Sequence, residues 1–440
     1  MSAVYVETTH HCAHRIHYFV PLVFLTFLLL TNACSAEQAS PLASSEERPA
    51  APMGSEPPTN LRLSGECSDP AYVCVGESIQ EAAASLGPEG VITIAAGTHL
   101  QQSITPQDGQ SSVGEPGAIL DGELITRRAF GGTADNVTLS NLVVTHYAPV
   151  LRDGTIQADQ TTGWTILDVE VSYSRGEYTH SNCTSGCGGM GIRMGRQMTI
   201  RGCQLHHNDQ YGIAGDGDGS LIENTEIAFN NDRNNIGGAT SSGTKFTNTD
   251  GLVLRGNYVH DNGKNGLWLD INNIDYVIED NVVENNGSNG IFIEVSLGGV
   301  IRNNQVRRNG LLEVNGCSLM YCSGILVAHS PDVEVYGNTV EANYRGIGGL
   351  QQDRNKSNSA WILNNLWVHD NVISGNMDVQ AGIVMGGRLW DPTAPPAKNR
   401  FDFNTYTIPT GQSKPFKWRK NKVTILDWLR NGMDLDGVFM

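Results

Sequence analysis

A segment near the middle of the chain repeats itself at a short, nearly constant interval, and few folds satisfy that constraint. Val253-Leu254-Arg255-Gly256-Asn257-Tyr258-Val259-His260-Asp261-Asn262 is followed 24 residues later by Val277-Ile278-Glu279-Asp280-Asn281-Val282-Val283-Glu284-Asn285-Asn286. Another 23 residues on comes Val300-Ile301-Arg302-Asn303-Asn304-Gln305-Val306-Arg307-Arg308-Asn309. The first two copies continue into Gly266-Leu267-Trp268-Leu269-Asp270 and Gly290-Ile291-Phe292-Ile293-Glu294. Each repeat therefore holds two short alternating runs, an Asn turn, and a third run introduced by Gly.

The alternation has period two. It puts Leu254, Val259, Leu267 and Leu269 on one face and Arg255, His260, Trp268 and Asp270 on the other. One such coil cannot bury its apolar face, but stacking coils at the strand spacing of about 4.8 Å buries a continuous column of Ile, Leu and Val. Three strands per coil of about 23 residues is the period of a parallel β-helix. The second Asn of each copy is a turn residue that tolerates a left-handed backbone. Its amide can bond to the equivalent Asn one coil away, so Asn208, Asn230, Asn262, Asn286, Asn309, Asn343 and Asn376 are expected to form one ladder.

One large solenoid is favoured over two ordinary domains by the 440 residues and 50 Gly. A formal charge of −17 argues against a nucleic-acid partner, which needs a basic face. It also requires that any polyanionic substrate be met by a local basic patch or by cations.

At the N-terminus, Arg15 and several His precede the apolar run Tyr18 to Leu30, which is too short to span a bilayer. Residues 1–34 read as a signal peptide. Its end, Leu30-Thr31-Asn32-Ala33-Cys34, resembles a bacterial lipobox, with Cys34 as the lipidation site; a simple cleaved secretory peptide is the alternative. Residues 35–62, rich in Ser, Ala, Glu and Pro, read as a disordered tether. The only membrane association expected is a lipid anchor at Cys34, with the protein placed in the cell envelope or secreted as a monomer.

Six of the remaining cysteines come as close pairs, Cys67 with Cys74, Cys183 with Cys187, and Cys317 with Cys322. In an exported chain these read as local disulfides that pin loops. Cys203 occupies the position of Asn257 and Asn281 and reads as a buried small residue.

The folded part, residues 63–440, opens with a cap (63–89). There Ser78 caps a helix over Ile79 to Leu86 that covers the open end of the solenoid. Coils fill 90–385 and a closing segment takes 386–440. Longer spacings mark insertions at about 174–190, 231–250, 310–323 and 351–361, which would build the walls of a groove.

From about residue 63 to the end, the chain resembles the right-handed parallel β-helix (pectate-lyase-like) superfamily. Val91-Ile92-Thr93-Ile94 with Ala95-Ala96-Gly97-Thr98-His99 is similar to the start of such domains. Thr244-Lys245-Phe246, Gly266 to Asp270 and Ile291 to Ser296 resemble a block in secreted bacterial members mostly without assigned activity, and Phe416-Lys417-Trp418 with Thr424 to Trp428 resembles their closing segment. The resemblance implies an all-β, single-stranded right-handed solenoid with three sheets, an N-terminal capping helix, and a carbohydrate substrate. No epimerase or lyase motif carries over residue by residue.

From the residues themselves, Trp268 and Phe292 share an outward column, and Asp270 and Glu294 share the next. An exposed aromatic pair beside two acids is a floor on which a sugar can stack and hydrogen-bond. Asp216, Asp270 and Glu294 could also hold Ca²⁺. Lys245, read as part of the insertion before the Asp270 coil, could fold over that face and abstract a proton next to a uronate carboxylate. In a hydrolase, Asp270 and Glu294 would be nucleophile and acid. Arg302 and His260 are further substrate-binding candidates, and Arg302, Arg307 and Arg308 alternatively pair with Glu279 and Glu284. Two function classes remain. One is an exported polysaccharide lyase or glycoside hydrolase acting through Lys245, Asp270 and Glu294. The other is a non-catalytic surface lipoprotein that binds glycan or protein.

Overall fold

The computed structural model describes residues 66–176, 188–233, 241–312, 314, 316–353, 361–388, 390–395 and 397–440. The expected signal peptide, the tether, Cys34, Cys183 and Cys187 lie outside them. Each coil contributes one strand to each of three sheets of 13, 13 and 12 strands, making a right-handed parallel β-helix.

Register carries like onto like. On the first sheet Leu254 pairs with Ile278 and Ile278 with Ile301; on the second, Val259 pairs with Val283 and Val283 with Val306. On the third, Leu269 pairs with Ile293 and Ile293 with Val327. All nine side chains are at most 1% exposed. At about 1.5–3 kcal/mol for each fully buried aliphatic side chain, this column is the main term holding the coils together.

The Asn ladder forms at the corner between the second and third sheets. Asn230 donates to Asn262, Asn262 to Asn286 and Asn286 to Asn309, each at 2.9 Å. It extends from Asn208 to Asn376 and ends on Gln380. The left-handed residue at this corner is the one before the ladder Asn: Asp261, Asn285 and Arg308 have φ of 52°, 55° and 55°. The ladder Asn keeps an ordinary backbone and is retained for its amide, which satisfies buried backbone groups that no strand pairs.

A second ladder, Asn257-Asn281-Asn304-Asn338-Asn371-Asn404, runs along the corner between the first and second sheets. Thr225 and then Cys203 continue it toward the N-terminus. Cys203 is buried, and burial pushes its thiol up to about 12, the behaviour of a small core residue and not of a nucleophile.

Both ends are closed. Ser78 Oγ accepts from the Glu81 N–H to cap the helix Ile79–Leu86. At the other end the coils run past residue 385, because Arg400–Asp402, Thr405–Thr407 and Phe416–Trp418 each add a parallel strand. The helix Ile425–Arg430, with a Thr424/Asp427 capping box, then seals the core with Trp428. The buried carboxylate of Asp434 receives Asn404, Tyr406 and Trp428 and so terminates the second ladder.

Cys67–Cys74 and Cys317–Cys322 are closed disulfides. Among the described residues no helix is long and apolar enough to cross a membrane.

Candidate active site on the third sheet

Lys245 is a strand residue, contrary to its expected place in an insertion. Thr244–Phe246 is a strand of the third sheet, paired through Ala214 to Lys245 on one side and Phe246 to Leu269 on the other. Residues 231–243 lengthen this coil and hide the strand from the repeat. The outward column therefore reads Ala214, Lys245, Trp268, Phe292, Leu326. In the next column Asp270 and Glu294 are register partners, and Glu294 is followed by Ala328.

The register brings Lys245 Nζ to 2.9 Å from Asp270 Oδ2 and 3.6 Å from the centroid of the Trp268 ring. The Lys and Asp side chains are only 18% and 9% exposed, so the pair sits in a weakly screening environment and the ammonium is shared between a carboxylate and a π face. Asp270 Oδ1 and Trp268 Nε1 are buried with no hydrogen-bond partner among the described residues. Glu294 lies beside Asp270 at 4% exposure. Two acids on adjacent strands repel one another, and the ammonium offsets that repulsion.

Three further residues converge here that the repeat did not single out. Arg193, in the same outward column before Ala214, donates through Nη1 to the Arg152 carbonyl at 3.0 Å, and its Nε has no partner among the described residues. Among the described residues neither Arg152 nor Arg193 is ion-paired. The phenol of Tyr211, 4% exposed, is held far above the ordinary tyrosine range, first by burial and then by the charge of Asp270, with Arg152 and Arg193 acting the other way. Asp270 and the two guanidiniums thus each lie within electrostatic reach of Tyr211.

The aromatic pair stacks as expected, with Trp268 and Phe292 centroids 5.7 Å apart at 17°, but it is not exposed. Trp268 and Phe292 are 3% and 4% exposed. Met320, Leu319 and Tyr321 of the insertion around 310–323 pack with them, and Tyr321 meets Phe292 edge-on at 6.0 Å. The rings form a satellite core under that insertion, not an open sugar floor.

His260 and Arg302 project from other sheets. His260, on the second, is held by Glu226 at 3.0 Å and Asp261 at 2.8 Å. Arg302, on the first, pairs with Glu279, while Arg307 and Arg308 pair with Glu284. None of these joins Lys245. His206 and His260 are separated in register by Ala228.

Asp216 is exposed and accepts from Thr247. Among the described residues no three His, Cys, Asp or Glu side chains converge as a metal-holding group, and one Asp270 oxygen already carries the Lys245 ammonium.

Residues 154–340 match a family described as the right handed beta helix region. No curated protein matches the chain. Among solved structures, a PL6 family polysaccharide lyase from Pseudopedobacter saltans aligns at 12% identity with a TM-score of 0.50, over 84% of this chain and 91% of that one. The catalytic domain of a GH87 alpha-1,3-glucanase in complex with tetrasaccharides aligns at 15% and 0.47, over 83% and 70%. A periplasmic alginate epimerase aligns at 13% and 0.45, over 72% and 84%. At these identities the likeness is one of fold.

Proposed function

We propose that the protein is an exported carbohydrate-active protein that takes an anionic, uronate-bearing polysaccharide along the outer face of its third sheet, at Lys245, and acts on it by elimination. The observation that carries this reading is the pair of guanidiniums, Arg152 and Arg193, which have no carboxylate partner among the described residues, with Arg193 two strands from Lys245 across Ala214, in a chain of net charge −17. Unpaired cations in a strongly acidic protein concentrate positive potential where an anionic ligand can use it. A polysaccharide lyase is among the proteins that share the fold, and the closed Cys67–Cys74 and Cys317–Cys322 pairs suit an exported chain.

In elimination a base takes the proton next to the uronate carboxylate, the freed C–H electron pair forms a double bond to the neighbouring carbon as the bond to the glycosidic oxygen breaks, and that oxygen takes up a proton from the base or from water, so that no water is added to the products. The cost is charge accumulating on the carboxylate. Preorganised cations aimed at that group stabilise it most in a site that excludes water. Lys245, ion-paired to Asp270 and fixed over Trp268, is suited to this neutralising role, with Arg193 two strands away in the same outward column.

Hydrolysis by Asp270 and Glu294 fits less well. A glycosidase needs its two carboxyls on opposite sides of the scissile bond, whereas these project side by side from adjacent strands at 6% and 4% exposure. That burial favours a second reading, a glycan-binding surface without turnover.

Incubating the mature protein with uronate and neutral polysaccharides tests the proposal. New absorbance from unsaturated uronates is expected on the acidic glycans alone. Reducing ends without that absorbance would point to hydrolysis, binding without products to the second reading, and preference for neutral glycans would overturn the anionic assignment.

A further inference from the structure

Among the described residues, the outward face of the third sheet differs on the two sides of Lys245. Toward the N-terminus Gln157 and Arg193 remain partly exposed, as does Lys245 itself, with only the small Ala214 buried between them in that column. Toward the C-terminus both outward columns are buried. Leu326, Ala328, Leu350 and Val384 are all 0% exposed, and the alternate positions between them are Gly348 and Gly382.

What seals them is the disulfide-closed strap Cys317–Cys322. Met320 lies flat on Gly348, where an added Cβ would come within 2.7 Å of the Met320 methyl and 3.0 Å of its Cβ. The strap is bolted to the sheet by two cations that reach its backbone. Arg345, 4% exposed, donates to the carbonyl of Tyr321 at 2.6 Å and lies within 3.4 Å of that of Ser318, while Asp378 holds its Nε at 2.6 Å. Lys417 donates to the Leu319 carbonyl at 2.7 Å, and burial, with Arg345 nearby, lowers its affinity for its proton. Charge-assisted bonds to backbone oxygens in a buried setting make a fixed wall, not a mobile lid. Tyr321 stands at its edge, against Phe292 and one coil beyond Trp268.

We infer that this strap is an end wall, and that the groove at Lys245 takes the terminus of a polysaccharide chain in place of an internal stretch. The inference rests on the anionic-polysaccharide reading above and adds the mode of engagement. A linear chain lying along the stack must stop where the strap, seated on the sheet by the fully buried Met320, presents the partly exposed Tyr321. The strap, positioned by Met320 and faced by Tyr321, then sets end specificity.

Binding stoichiometry decides this without requiring turnover. Uronate homopolymers of short and long defined length are titrated with the wild-type protein, and the number bound per chain is read by sedimentation. One protein per chain at every length is expected. Occupancy rising in proportion to length would overturn the end wall while leaving the polysaccharide reading intact, and absence of binding to every uronate would remove both.

Gly348→Val gives the complementary test, because its side chain occupies the Met320 seat while a strand accepts a β-branched residue. Thermal melting checks that the variant is folded. A folded Gly348→Val should load long chains in proportion to their length, and one that still binds a single copy per chain would overturn the role of the strap. Should the variant not fold, the wild-type stoichiometry decides alone.

Discussion

Lys245 Nζ and Asp270 Oδ2 stand 2.9 Å apart on neighbouring strands of the third sheet, with the Trp268 ring 3.6 Å beneath the same ammonium. A charge pair so little exposed contributes to stability mainly through what its loss would leave behind. Removing one partner strands the other in a poorly solvated place.

Lys245→Met keeps the aliphatic cover on Trp268 but leaves Asp270 with a buried, uncompensated charge. The variant should lose about 3 kcal/mol of stability. Lys245→Met with Asp270→Asn, which removes the orphaned charge, should recover most of that loss in a denaturant titration. Neither variant should bind or turn over a uronate polymer. A double variant that regains uronate binding would show that Lys245 holds the fold and not the ligand.

Arg152 and Arg193 should separate binding from folding. Neither has a carboxylate partner among the described residues, so Arg193→Gln should shift stability by no more than about 0.5 kcal/mol. Its effect should fall on affinity for uronate chains, weakened roughly tenfold at low salt. Because partly exposed charges are screened, that difference should shrink as ionic strength rises. Calorimetric titration at two salt concentrations measures it, and a salt-independent loss would place Arg193 in a structural role.

Much of this architecture is legible in the sequence because a solenoid repeats its physics every coil. The alternation of Leu254, Val259 and Leu269 sets the inward faces, and the Asn at each second corner marks the ladder. The strand containing Lys245 is hidden because residues 231–243 lengthen its coil, and Gly243-Thr244 stands where other coils show Gly followed by an aliphatic residue. Leu319, Met320 and Tyr321 form an apolar cluster inside an insertion, which is the signal that something beneath needed covering; the sequence does not say which column. Tyr211, Arg152 and Arg193 come from different coils and meet only through register, so no spacing rule finds them.

The ladder itself gives a graded test. Asn286 accepts from the Asn262 amide, donates to Asn309 and also reaches the carbonyl of Val259, all buried. Asn286→Leu leaves several of these groups unpaired at about 1–3 kcal/mol each, and should cost at least about 3 kcal/mol in total. Asn272 donates to Asn248 in an exposed ladder on the same stack. There water replaces the lost partner, and because Asn272 has a left-handed backbone at φ 60°, Asn272→Gly, which keeps that conformation, should cost less than about 0.5 kcal/mol. Thermal melting of the two variants side by side measures the contrast, and equal losses would contradict the desolvation argument.

His260 carries a pH dependence whose sign follows from its partners. Burial alone would disfavour the imidazolium, but Glu226 at 3.0 Å and Asp261 at 2.8 Å outweigh it, and the proton affinity of the ring is raised above its ordinary value near 6.5. The folded protein therefore holds a proton that the unfolded chain releases first. The stabilisation is fully present below about pH 6.5 and is lost as pH rises through the elevated folded value. His369 is held by the same kind of pair, Glu334 and Asp370, and is left in place. The measurement is thus a difference: melting temperature against pH for the wild type minus that for His260→Gln, which retains His369 and cannot titrate at 260. That difference should be largest in mild acid and shrink toward alkaline pH. A difference independent of pH would mean that His260 is neutral in the fold and that Glu226 and Asp261 hold it by hydrogen bonding alone.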